Sequence, residues 1–118
     1  LLLPPKFKNC DRVLQYLFGR GIDYQLIQEC VADGTIYESA DYHNAVFIGK
    51  DKSGTPKYAA LRSTLGSTFK QDASGSDKRY SFRLLAREST DTVHLFEAAI
   101  DLLSYATYLK CEGKRRYM

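Results

Sequence analysis

Two acidic residues near the end of the sequence are the first candidates for chemistry. Glu97 follows residues 92–96, an apolar stretch that predicts a strand, and it begins a segment with helical spacing. Asp101 comes about one helical turn later, so the two carboxylates share a helix face. Because open α/β sheets bind ligands where strands hand over to helices, Glu97 and Asp101 are candidate Mg²⁺ ligands.

The same two carboxylates also have a purely structural interpretation. Acidic residues are common in the first turn of a helix because they stabilise its positive end, and spacing alone favours this interpretation. A magnesium site normally needs further ligands, and no Asp-x-Asp sequence occurs among the 118 residues.

A group of basic residues is the second candidate. It lies on the third and fourth predicted strands and the loop between them, with Tyr58, Tyr80 and Phe82 interleaved. The group consists of Arg62, Lys70, Lys78, Arg79 and Arg83. Basic side chains beside aromatic rings are typical of a groove for single-stranded DNA or RNA. A solvated sheet face, on which charged residues alternate with buried rings, explains the pattern equally well.

The histidine and cysteine residues are weaker candidates for a functional site than the acidic and basic residues. His43, next to Asn44, has no second histidine, cysteine or paired serine nearby, which favours a structural hydrogen bond over a role as base or metal ligand. Cys10, Cys30 and Cys111 are scattered, which argues against a disulfide framework or zinc site and predicts reduced thiols packed as small apolar side chains.

Two short helices are expected ahead of these residues, as a hairpin over residues 9–33. Asn9 or Asp11 can cap the first helix, which ends at residues 19–21 (GRG). The second starts at Asp23 and stops at Gly34. Both are too short to be stable without a sheet to cover.

Antiparallel strands are expected over residues 35–84. The pattern predicts strands at 35–38, 45–48 and 57–62, with a turn at 50–56 between the second and third. Residues 63–78 are polar and predict a long loop, and the alternation at 79–84 predicts a fourth strand. The expected fold class is α+β: a helical hairpin on a small antiparallel sheet, followed by one βα unit.

Composition sets the limits. The share of hydrophobic residues, 44%, is that of an ordinary globular chain. The net charge of +3 is compatible with a nucleic-acid partner but does not require one. No apolar run approaches the roughly 20 residues of a membrane span, so we expect a cytoplasmic protein without membrane contact. The absence of an initiator methionine predicts a piece of a longer protein.

Several motifs, in order, resemble one family. Residues 16–23 (YLFGRGID), 36–38 (IYE), 42–47 (YHNAVF) and 75–82 (GSDKRYSF), with Arg62, are similar to the uncharacterised domain that precedes Toprim domains in primase-like and relaxase-associated proteins of plasmids and conjugative elements. Residues 93–104 (VHLFEAAIDLLS) resemble the first strand and helix of a Toprim domain, with Ala98 where a glycine is often found.

The resemblance implies that the chain consists of two domains and that Glu97 has a catalytic role. Residues 1–88 would form the Toprim-associated domain, and residues 89–118 a truncated Toprim βα unit. Glu97 would be the catalytic glutamate, which works with a later Asp-x-Asp pair that holds Mg²⁺. The fragment would then be inactive alone, with Mg²⁺ and the rest of the Toprim domain supplied by the full-length protein.

Three functions follow as hypotheses. The first is a nucleic-acid-facing accessory domain of a Toprim, primase-like protein of a mobile element. The second is a structural or protein-interaction module that docks a partner domain without touching nucleic acid. The third and weakest is an independent hydrolase that uses Glu97 and Asp101.

Overall fold

A computed structural model describes residues 1–82 and 99–111 of the chain. Within these ranges it contains three α-helices, four strands and a short 3₁₀ helix. The helices are α1 (Asp11–Gly19), α2 (Tyr24–Asp33) and α3 (Ala99–Cys111), and the 3₁₀ helix is Lys78–Tyr80. The strands are β1 (Ile36–Glu38), β2 (Ala45–Lys50), β3 (Pro56–Arg62) and β4 (Lys70–Asp72). The predicted α+β class is confirmed.

Local capping sets the bounds of α2. The Asp23 carboxylate accepts a hydrogen bond from the backbone N–H of Leu26 at 2.9 Å, which satisfies one of the free donors of the first turn. Gly34 ends the helix with a φ of 82°, a left-handed conformation that glycine adopts without steric cost. Both ends lie where the sequence predicts them.

The four strands form one antiparallel sheet in the order β1-β2-β3-β4. Paired residues of neighbouring strands lie on the same face, so the register separates the two faces of the sheet. Ile36, Phe47 and Ala60 lie on the first face, which the helices cover. Tyr37, Val46 and Leu61 lie on the second face.

The main core lies between the first face and the helices. It contains buried side chains from α1, α2, α3, β1 and β2 and Phe82, whose ring meets that of Phe47 edge to face at 5.6 Å. Helix α3 contributes Ile100, Leu103 and Ala106 to this core. Its Thr107 hydroxyl also accepts a hydrogen bond from the backbone N–H of Asp23 at 2.9 Å.

The first residues of the chain lie across the second face. Backbone bonds join Phe7 N–H to the Glu38 carbonyl and Leu2 N–H to the Ser74 carbonyl, both at 2.8 Å, so the segment runs from the β1 edge toward the loop after β4. Between these points the Tyr37 hydroxyl donates to the Pro4 carbonyl at 2.7 Å. The segment therefore helps to shield the smaller cluster around Val46 and Ile48.

Two expectations for the later strands are wrong. The fourth strand is Lys70–Asp72, inside the segment expected to be a long loop, and residues 79–82 are not part of a strand. Instead the Asp77 carboxylate caps the 3₁₀ helix by accepting from the Arg79 backbone N–H at 3.0 Å. The chain then crosses the first face of the sheet, where Phe82 is buried. Residues 83–84, and the strand expected at 92–96, lie outside the described residues.

Two further expectations concern cysteines and membranes. Cys30 is buried in the core, as expected for a small apolar side chain, and burial raises the pKa of its thiol to about 12. Cys10 is partly exposed. In the described part of the chain, no helix is long and apolar enough to cross a membrane.

We predict that Gly49→Ala is destabilising, whereas Gly19→Ala is not. A Cβ on Gly49 would overlap the backbone carbonyl of Tyr80, while a Cβ on Gly19 meets nothing within 4 Å. We expect Gly49→Ala to lower the free energy of unfolding by about 3 kcal/mol and Gly19→Ala, in a helix, to raise it by about 0.5 kcal/mol. Urea denaturation measures both, and equal effects would contradict the close packing at Gly49.

We also predict that the hydrogen bond between Tyr58 of β3 and Asp72 of β4 stabilises the fold less at high pH. The Tyr58 hydroxyl donates to the Asp72 carboxylate at 2.8 Å, and burial together with this bond raises the pKa of Tyr58 from 10.0 to about 12. A raised pKa in the folded state means that the contribution is complete below pH 10 and declines between pH 10 and about 12. Urea midpoints for wild type and Tyr58→Phe should therefore converge over this range, with Tyr42→Phe, at an exposed residue, as control. A constant difference would contradict this role.

Candidate functional site

A buried carboxylate organises one end of the sheet. Glu38, the last residue of β1, is 1% exposed. Its Oε1 accepts hydrogen bonds from the backbone N–H groups of Arg12 at 3.0 Å and Val13 at 3.2 Å, in the first turn of α1. Cys10, at the N-cap of α1, makes no capping hydrogen bond with its side chain. Glu38, which is distant in sequence, therefore caps the N-terminus of α1. A negative charge is favourable at that end of a helix.

The second oxygen of Glu38 holds a histidine. Nδ1 of His43 lies 2.5 Å from Glu38 Oε2, and the side chain of His43 remains 34% exposed. An ionised carboxylate only accepts hydrogen bonds, so Nδ1 carries the proton and Nε2 is left for other partners. The ring of Phe7 meets the imidazole edge to face at 4.6 Å and restricts its tilt.

The backbone that presents His43 is strained and well anchored. Tyr42 and His43 have φ values of 62° and 51°, which for residues with a Cβ costs about 1–2 kcal/mol each. Ser39 closes the turn by donating its backbone N–H to the Asn44 carbonyl at 3.0 Å. The Thr64 hydroxyl donates to the His43 carbonyl at 2.8 Å. These bonds fix a conformation that aims the imidazole at Glu38.

Beside this pair lies an open cavity of about 610 Å³, a size typical of small-molecule sites. It is bounded by the Glu38–His43 pair, the outer side of α1 and the loop after β3. The lining residues are Phe7, Asn9, Asp11, Arg12, Gln15, Tyr16, Glu38, His43 and Thr64.

Several polar groups of the lining have no hydrogen-bond partner in the described part of the chain. Among the described residues, none bonds the Arg12 guanidinium, the Tyr16 hydroxyl or Nε2 of His43. The Arg20 guanidinium lies over the Tyr16 ring at 5.8 Å and adds positive charge nearby. Of the two carboxylates in the lining, Glu38 is already bonded on both oxygens, and Asp11 is exposed.

The sheet register places two of the predicted basic residues in line with Glu38. Glu38 pairs with Ala45, Ala45 with Arg62, and Arg62 with Lys70. These four residues form one row across the sheet on the helix-covered face, with strands about 4.8 Å apart. We call Arg62 and Lys70 the basic row; no hydrogen bond or ion pair joins either side chain to another described residue.

The other predicted residues are placed differently. Lys78 lies 3.7 Å from Asp72, and Arg79 forms an ion pair with Asp77 at 2.7 Å. The hydrogen bonds from Arg79 lower the pKa of the Asp77 carboxyl below its usual value. Both basic residues are therefore neighbours of carboxylates and less available to an external anion than the basic row.

Arg83 and Glu97 lie outside the described residues. Asp101 is exposed in the first turn of α3, the position in which an acidic residue stabilises a helix. In the described part of the chain, no three metal-binding side chains are grouped as an ion would need. The proposed metal role of Glu97 and Asp101 stays a prediction.

The Glu38–His43 pair is the feature that sequence reasoning missed. His43 does make a structural hydrogen bond, as its isolation in the sequence predicts, but its partner is a buried carboxylate beside a cavity. The available signal was a glutamate at the end of a short apolar strand, five residues before a histidine. Charged residues are almost never fully buried without a partner, so that glutamate needed one.

Comparison with known proteins gives one match. A family model described as protein of unknown function (DUF3991) matches residues 15–88, which include the basic row, Glu38 and His43. Neither the curated proteins nor the solved structures contain a significant match to the chain.

We predict that Glu38→Ala is far more damaging than Asp101→Ala. Removing the Glu38 carboxylate leaves the N–H groups of Arg12 and Val13 and Nδ1 of His43 without their acceptor. We expect a loss of about 3–4 kcal/mol in the free energy of unfolding, against about 0.5 kcal/mol for the exposed Asp101. Urea denaturation compares the two variants, and a loss below about 1 kcal/mol for Glu38→Ala would contradict its capping role.

Proposed function

The chain belongs to the family described as protein of unknown function (DUF3991), and on that premise we propose that it is a nucleic-acid-facing accessory domain. Its larger setting is a Toprim, primase-like protein that processes the DNA of a mobile genetic element in the cytoplasm. The observation that carries the proposal is the basic row, Arg62 and Lys70, which forms no ion pair with a carboxylate of the described residues.

The basic row is costly to the fold and therefore favours a ligand. Like charges directly opposite each other on neighbouring strands are destabilising. Lys78 and Arg79 have carboxylate partners, whereas Arg62 and Lys70 form no ion pair with the described residues. A phosphate backbone bound across both would remove the repulsion and release counterions.

The loop beside the basic row adds apolar surface. Residues 63–69 connect β3 to β4, and within them Leu65 is 60% exposed and Phe69 is 43% exposed. Phe69 immediately precedes Lys70 in the chain, so an exposed ring and a cation lie at the same edge of the sheet. Bases of a single strand stack on exposed rings while the phosphates contact the cations, an arrangement that tolerates any sequence.

The Toprim part of the proposal rests on the resemblance of residues 93–104. In a Toprim enzyme, Glu97 would act with an Asp-x-Asp pair that these 118 residues do not contain, and Mg²⁺ would serve phosphoryl transfer. The domain described here would then hold the strand on which the parent enzyme acts.

A second candidate is the protein-interaction module. The exposed Leu65 and Phe69 favour it, since apolar surface also marks protein interfaces. In that case these two side chains would contact a partner domain, and Arg62 and Lys70 would matter little.

We predict that single-stranded DNA binding depends on the basic row. Arg62→Ala with Lys70→Ala should weaken binding about tenfold at low salt and reduce the slope of log affinity against log salt by about 1.4, because two phosphate contacts are lost. Fluorescence anisotropy with a labelled oligonucleotide measures both quantities.

The matched control is Lys52→Ala with Lys57→Ala. It removes the same charge from the opposite end of the β2–β3 hairpin, and binding should change less than about twofold. Equal losses in the two double variants would point to net charge alone. Absence of binding by wild type at low salt would reject the proposal in favour of the interaction module.

A further inference from the structure

The donors that line the cavity beside Glu38 and His43 have no assigned ligand. We propose that this cavity binds a phosphate monoester, held by Nε2 of His43 and the guanidinium of Arg12. The inference depends on the cavity alone, and it stands or falls separately from strand binding by the basic row.

The orientation of His43 is the first step of the argument. Glu38 accepts from Nδ1, so the imidazole cannot turn over without losing that bond, and Phe7 packs against the ring. Nε2 is the nitrogen left to meet a ligand in the cavity. When the ring is doubly protonated, Nδ1 donates to Glu38 and Nε2 can donate to an anion.

The remaining donors fit an anion with several oxygens. Arg12 supplies a planar guanidinium that matches phosphate oxygens in pairs. The Tyr16 hydroxyl and the Gln15 amide also line the cavity. A monoester carries a charge of about −1.5 to −2 and three acceptor oxygens, so it uses more of these donors than a carboxylate or a diester.

The N-terminus of α1 is not the binding element. Its N–H groups at Arg12 and Val13 already donate to Glu38, so the ligand must be held by side chains. Asp11 is the one lining carboxylate without such bonds; it is exposed, and its negative charge disfavours an anion in the cavity. Asp11→Asn should therefore tighten binding.

The test is a titration of the full chain followed by NMR of the His43 imidazole. The probes are inorganic phosphate, adenosine 5′-monophosphate and adenosine. We expect saturable shifts of the His43 signals with the first two and none with adenosine. Arg12→Gln, which keeps the backbone N–H that Glu38 needs, should weaken phosphate binding about tenfold, the effect of losing one charge-assisted contact.

Controls separate binding from folding. Arg79→Gln removes an exposed guanidinium that is paired with Asp77, and phosphate binding should not change. His43→Gln, followed by the backbone N–H signals of Arg12 and Val13, should no longer distinguish adenosine 5′-monophosphate from adenosine, and its urea midpoint shows whether the variant is folded. If that variant unfolds, Arg12→Gln decides the question.

Oligonucleotides with a 5′-phosphate or a 5′-hydroxyl identify the source of the monoester. Tighter binding of the phosphorylated strand than of the hydroxyl strand assigns the cavity to strand ends, and equal affinity of the two strands assigns it to free nucleotides. Three results would overturn the inference: no shift of His43 with phosphate or mononucleotide, equal shifts with adenosine, or unchanged affinity in a folded Arg12→Gln variant. Phosphate binding without binding of unphosphorylated single strands would reject the proposed function and keep this one.

Discussion

The buried carboxylate of Glu38 joins three parts of the chain. It caps the first turn of α1, ends β1 and holds His43 in the strained turn that leads to β2. A carboxylate taken out of water is destabilising unless its oxygens are bonded, and here three donors satisfy them. The angle of α1 on the sheet, the orientation of the imidazole and the cavity between them all depend on this one group.

The two ends of the sheet differ in packing and in charge. At the end near Gly49 the backbone of Tyr80 packs so closely against the sheet that no side chain fits at that position. At the other end a single row holds Glu38, the small Ala45, and then Arg62 and Lys70. The cavity, with its unbonded donors, and the basic row, with its adjacent apolar loop, are thus neighbours. An anionic chain or nucleotide would meet both.

The sequence predicts the features that depend on neighbouring residues. The cap at Asp23, the glycine stop at Gly34 and the β2–β3 turn follow from residue types within a few positions. It also predicts Arg62 and Lys70 as candidates for anion contact. The sequence does not predict which of the basic residues form ion pairs. In the fold Lys78 and Arg79 have carboxylate partners, whereas the basic row has none among the described residues.

The sequence does not predict the features that depend on contacts between distant residues. Strand β4 is three polar residues, and only pairing with β3 makes it a strand. The alternation at 79–84 suggested a strand, but the Asp77 cap turns the chain and Phe82 enters the core instead. Glu38 bonds residues 25 and 26 positions away, so no local pattern reveals its role.

The central claim is that Glu38 fixes the imidazole of His43 and leaves Nε2 to the cavity. Long-range ¹H–¹⁵N NMR of the histidine side chains tests it directly, with His43→Gln separating the signals from those of His94. For neutral His43 we expect the proton on Nδ1 and an unprotonated Nε2, a pattern that Glu38→Gln should weaken or abolish. A neutral ring with its proton on Nε2, or averaging between the two nitrogens as in free histidine, would contradict the claim.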